Sequence, residues 1–200
     1  MLTQEQSKPA ETIGATLKNR FAATVWGTIL AGLLAGCAAP GPSRHGSVDL
    51  ARRLRDLGPA VDGAEALLAA ETACSYSLAL ATEYRVVRPP FLHNILVNIG
   101  RRDRGLCFHW AEDISQELER LHLQTLEVHR GVARLGRRGE HSSVVLTAVG
   151  QPFQEGVVLD GWRRSGRLYW QAVSQDKYKW QRVRVIKDEE ASAPSAGRQD

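Results

Sequence analysis

The 200-residue chain is poor in cysteine, nearly balanced in charge and without a long apolar run, and each shortage closes off a class of protein. Its 26 basic and 22 acidic residues leave a net charge of +4, too small an excess to call for nucleic acid as a partner. No stretch reaches the roughly 20 apolar residues that a transmembrane helix needs. The histidines are also badly placed for metal: His93, His122 and His129 have no companion at ligand spacing, so no metal or other cofactor is indicated. Hydrogen-bonded or solvated roles are expected for all three. The three cysteines are Cys37, Cys74 and Cys107.

What apolar sequence there is comes early. Lys18, Asn19 and Arg20 form a basic start, and Phe21 to Ala35 follow without a charge, interrupted by glycine, as in the hydrophobic region of an export signal. The run closes on Leu34-Ala35-Gly36-Cys37, which resembles the lipobox of bacterial lipoproteins. That resemblance implies cleavage after residue 36 and acylation of Cys37. It also implies that the membrane is reached through lipid, at about 0.8 kcal/mol per buried methylene, with no need of a second hydrophobic segment. Residue 38 is Ala rather than Asp, which by the same resemblance points to the outer membrane, facing the periplasm. Residues 37–47, rich in Gly, Pro and Ser, read as a tether. Residues 48–186 then make one domain of ordinary size, and 187–200 a polar tail without fixed structure.

The fold class expected for this domain is α+β, with helices in the first half packed on an antiparallel sheet from the second. Asp62-Gly63-Ala64-Glu65 has the form of a capping box, and Leu67, Ala70, Cys74, Leu78 and Ala81 recur at helical spacing behind it. Arg88-Pro89-Pro90 is a break. Phe91, Leu92, Ile95, Leu96 and Ile99 restart a helix that ends at Gly100, before a basic loop containing Arg101, Arg102 and Arg104. From Cys107, the residues Ala111, Ile114, Leu118 and Leu121 fall in alternating steps of four and three, so Cys107 opens the buried stripe of another helix. Beyond it the period becomes two. Strands are expected from Leu126, over Val144 to Val149, over Val157 to Asp160, over Arg167 to Val173 and over Gln181 to Ile186, with turns at the intervening glycines.

The chemistry concentrates in three residues. A thiol at a helix N-terminus meets unpaired N–H groups and the positive end of the dipole, which favour the thiolate and can stabilise an oxyanion formed by its attack on a carbonyl. His141 precedes one strand and Asp160 ends the next, so a hairpin turning near Pro152 brings imidazole and carboxylate to the same open end of the sheet. Imidazole, with an ordinary pKa of about 6.5, can take and return the thiol proton while the carboxylate orients it. Gly105-Leu106-Cys107 at a helix start, with His141 and Asp160 following at strand ends, resembles the transglutaminase-like branch of the papain-like superfamily. The resemblance spans roughly Gly105 to Trp170. It implies Cys107 as nucleophile, His141 as base and then acid, Asp160 as orienting carboxylate, and thioester formation on an amide, peptide or ester carbonyl of a peptide, protein or cell-wall substrate.

Glu140-His141-Ser142-Ser143 and Leu159-Asp160-Gly161-Trp162 depart from that family's usual surroundings. They motivate a second reading, a non-catalytic envelope lipoprotein that binds a peptide, a cell-wall fragment or an assembly partner, with Cys107 buried or paired to Cys74. Asn94 and Asn98 are further oxyanion donors to consider. Trp110, Trp162, Tyr169, Trp170, Tyr178 and Trp180 are expected to supply core, with one or two lining a cleft.

Overall fold

A computed structural model describes residues 44–183. Cys37, the export signal, the tether up to residue 43 and the tail from 187 lie outside the described residues, as do positions 184–186 of the last expected strand. Within them the chain forms helices α1 (Arg44–Arg55), α2 (Gly63–Glu83), α3 (Pro90–Asn98) and α4 (Cys107–Glu119). Strands β1 (Leu126–Ala133), β2 (His141–Ala148), β3 (Val157–Asp160), β4 (Tyr169–Ala172) and β5 (Trp180–Val183) follow. The sheet is antiparallel throughout, in the order β4-β3-β2-β1-β5. This is a mixed α+β architecture, helices first and sheet second.

The helices cover one face of the sheet. Leu50 and Leu54 of α1, Ala66, Ala70 and Leu80 of α2, and Trp110, Ile114 and Leu118 of α4 form one core with Val144, Leu146, Val157 and Leu159. Val145 and Val158 point to the other face, where they meet Val173 and Trp180, as the two-residue period of a strand requires. Burying a Leu or Ile side chain contributes about 1.5–3 kcal/mol, so this single helix-on-sheet layer accounts for most of the cohesion.

Three expectations need correction. Residues 44–47, expected in the tether, already form the first turn of α1, which buries Leu50 and Leu54 completely. The buried stripe of α2 is Ala66, Ala69, Ala70, Ala73, Ser77 and Leu80, whereas Leu67 is 40% exposed. Small residues let neighbouring helices approach closely, so packing distance overrode side-chain hydrophobicity. The strand expected over Arg167 to Val173 shortens to β4, since Ser165 (φ +53°) and Gly166 (φ +95°) carry the chain around a turn before it.

Half of the capping box at α2 is as expected: Asp62 Oδ1 accepts from Glu65 N at 2.8 Å. Glu65 does not reach back. Its carboxylate instead accepts from Gln124 N, Thr125 N and Thr125 Oγ1, fastening the start of α2 to the entrance of β1.

Candidate active site

Cys107 is the first residue of α4, and the turn before it is held from three sides. Leu106, the N-cap, has no side-chain oxygen to offer the helix. His109 supplies the other half of a cap: its Nδ1 accepts from Gly105 N at 3.1 Å and Leu106 N at 3.2 Å, the task a glutamate performs at this position in a capping box. Burial, and then the charge of Arg104, hold the His109 pKa below its ordinary value, which suits an accepting nitrogen. Trp110 Nε1 donates to Gly105 O at 2.9 Å. From α3, buried His93 accepts Val87 N–H at Nδ1 and contacts Arg104 O through Nε2 at 3.0 Å.

Gly105 is indispensable to this turn. Its φ is +122°, and a Cβ there would lie 2.1 Å from His93 Nε2. Gly105→Ala is therefore expected to destabilise the domain by at least about 2 kcal/mol, seen as a lower urea midpoint at unchanged slope.

The opposite wall is the open end of the β2–β3 hairpin, whose register pairs Val144 with Leu159. It carries His141, first residue of β2, and Asp160, last residue of β3, to the same end. His141 Nε2 lies 2.6 Å from Asp160 Oδ2, and both side chains are buried. The Cys107 thiol donates to Glu140 O at 3.9 Å, which places the sulfur at the residue before the imidazole. Cys107 is also near enough to His141 to help raise the pKa of its imidazole. With Nε2 committed to Asp160, Nδ1 is the ring nitrogen left for the sulfur. All three residues singled out from the sequence thus converge.

Burial works to lower the His141 pKa, but the hydrogen bond to Asp160 and the nearby Cys107, with the charges of both, push it up to about 9. The base expected near 6.5 is a protonated imidazole at neutral pH. A folded-state pKa above the unfolded one adds stability that is complete below pH 6.5 and disappears as pH rises through about 9. The shift corresponds to roughly 3 kcal/mol. Urea titrations at pH 6 and pH 10 check this, since wild type should lose more stability between them than His141→Phe.

Asp160 has a second cation that sequence reasoning missed. Arg163 donates through its backbone N to Oδ1 at 2.9 Å and through Nε to Oδ2 at 3.1 Å. Its Nη1 lies 3.1 Å from Asp176 Oδ2, and its guanidinium sits 3.9 Å above the Tyr169 ring. Asp176 also accepts from Tyr178 N at 3.0 Å. Tyr178, Trp162 and Trp180 then enclose the imidazole, with ring centroids 4.8, 5.0 and 5.4 Å from it. The only trace of Arg163 in the sequence is its place three residues after the carboxylate, in the same turn.

Other candidates take structural places. Asn94 Oδ1 accepts from Trp162 Nε1 at 2.9 Å, and Asn98 faces solvent. Arg104 bridges Glu112 at 3.1 Å and Asp113 at 2.6 Å, rather than pairing with its neighbour Asp103. His129 Nε2 meets Thr147 Oγ1 at 2.9 Å, and His122 is exposed. Cys74 and Cys107 are both free thiols, so no disulfide joins them. Burial pushes the Cys74 pKa up to about 11. Among the described residues, no three His, Cys, Asp or Glu side chains cluster as a metal site.

Fold and site together describe an α+β domain with a thiol at a helix start facing a buried imidazole–carboxylate pair. Comparison with protein-family models, with curated proteins and with solved structures finds no match to this chain.

Proposed function

We propose that the chain is an envelope lipoprotein, anchored by lipid on Cys37, whose papain-like or transglutaminase-like domain hydrolyses or transfers acyl groups through Cys107. The observation that carries the reading is the buried His141–Asp160 pair, in contact at 2.6 Å, with the Cys107 sulfur placed against the backbone of the preceding residue, Glu140. In the proposed reaction the Cys107 proton first passes to His141, the thiolate attacks an amide, peptide or ester carbonyl, and the carbonyl electron pair moves to the oxygen. The N–H groups of the first turn of α4 precede the first intrahelical bond, from Trp110 N to Leu106 O, and so can face that oxyanion. Collapse expels the amine or alcohol, which takes the proton held on His141, and leaves a thioester. Water, or an acceptor amine, then attacks the thioester as His141 removes its proton. Asp160, held by Arg163, fixes the ring and stabilises its cationic form throughout.

The substrates this chemistry admits are carbonyl compounds of the periplasmic space, among them protein side-chain amides and cell-wall peptides. The decisive test is competitive labelling of the native protein with limiting iodoacetamide, mapped by mass spectrometry. Cys107 is expected to be modified at least about tenfold faster than Cys74, whose thiol is half-buried with a raised pKa. Equal labelling, or an inert Cys107, would favour the non-catalytic binding lipoprotein instead.

A further inference from the structure

Helix α3 is amphipathic in the wrong sense for a helix packed on a core. Its one fully buried side chain is His93, and Asn94 beside it is tied to Trp162. Its large apolar residues face outward: Phe91 is 64% exposed, Leu92 36%, Ile95 49%, and Ile99 just beyond its end 62%. At 100° per residue these four fall within an arc of about 100°, so they form one stripe. Phe108, 46% exposed in the first turn of α4, adds another aromatic beside Cys107. Leaving the four apolar groups of the α3 stripe side by side in water is unfavourable and marks a contact surface.

The charges around the stripe choose its partner. From Tyr84 to Arg102 there is no acidic residue, and the ionised side chains are Arg85, Arg88, Arg101 and Arg102. Arg85 and Arg88 precede the helix, Arg101 and Arg102 follow it, and all but half-buried Arg102 are exposed. An apolar face bounded at both ends by arginine fits acyl chains below a layer of phosphates, as in helices that lie in the plane of a bilayer. An acidic protein groove would match the arginines but not the stripe.

Chain length brings such a surface within reach. Six residues lie between Cys37 and Arg44, and the seven steps from one to the other span at most about 25 Å. α1 packs along α2 and runs toward the Ala148 end of β2, where Gln151 Nε2 donates to Leu57 O. Its start at Arg44 therefore lies toward the C-terminal half of α2, the end from which residues 84–89 connect to α3.

We infer that the outer face of α3, with Phe108, is a bilayer-docking surface for anionic phospholipid, which sets the thiol beside the membrane to which the chain is tethered. The inference rests on the lipid-anchor reading only for proximity and not on the catalytic one. Its test uses the full chain reconstituted in vesicles of phosphatidylethanolamine and phosphatidylglycerol doped with a phospholipid carrying a photoactivatable acyl chain. Cross-linked peptides, and the acylation state of Cys37, are mapped by mass spectrometry.

Labelling is expected in residues 91–99 and at Phe108, and to fall on the order of tenfold in Phe91→Ser/Ile95→Ser. It should also weaken in Arg88→Glu/Arg101→Glu. These positions are exposed, so both variants should unfold at the wild-type temperature, which separates loss of docking from loss of fold. Lipid labelling that spares α3, or cross-links from α3 to a second copy in place of lipid, would overturn the proposal. Labelling of α3 in a chain whose Cys37 is unacylated would uphold the docking face and end the anchor reading.

Discussion

Cys107→Ala is expected to lower the turnover of a responsive ester or amide substrate by on the order of a thousandfold or more, with the fold intact. The side chain is partly exposed, and its hydrogen bond among the described residues is a long contact to Glu140 O. Little stability is therefore lost with it. What is lost is the proposed nucleophile. Release of p-nitrophenol from a short acyl ester, with a burst equivalent to the enzyme present, is a suitable first readout. Cys74→Ala serves as the control and should leave the burst unchanged. A Cys107→Ala protein that retains the burst would remove the thiol from the chemistry.

Asp160→Ala should have the largest effect on stability. The carboxylate is 2% exposed and faces two cations at once, the buried imidazolium of His141 and the half-buried guanidinium of Arg163, which Asp176 shares. Removing one member of a buried ionic cluster strands the others without solvent, which costs about 3–5 kcal/mol. For a domain of this size that amounts to a fall in melting temperature of about 10–17 °C. Asp160→Asn keeps the shape and should unfold the domain less, while lowering the His141 pKa and with it the rate. A calorimetric scan and a pH profile of thiol alkylation check the pair. An Asp160→Ala protein as stable as wild type would show that the cations are satisfied by water.

Much of this arrangement was legible in the residues. The alternating steps from Cys107 through Leu118 define the face of α4 that meets the sheet, and the hairpin logic brings His141 to Asp160 because strand register fixes which ends coincide. The structure matches these expectations closely. Less legible were contacts that depend on distances between elements. Arg163 is an ordinary charged residue in a turn until Asp176, fourteen residues after the start of that turn at Trp162, folds back beside it. His109 points away from the sheet face, and its role follows only from the absence of an oxygen on Leu106. The apolar pattern of α3 identified a helix correctly, but pattern alone cannot say whether the apolar side turns inward, and here it turns out.

The packing of Trp162 and Trp180 against His141 has a practical consequence. Charged imidazole withdraws excited-state electron density from a neighbouring indole and dims its emission, whereas the neutral ring does so weakly. The domain thus carries a built-in optical indicator of its own proton. Fluorescence recorded from pH 6 to 11 should brighten with a midpoint near 9, reporting the state of the ring before any substrate is known.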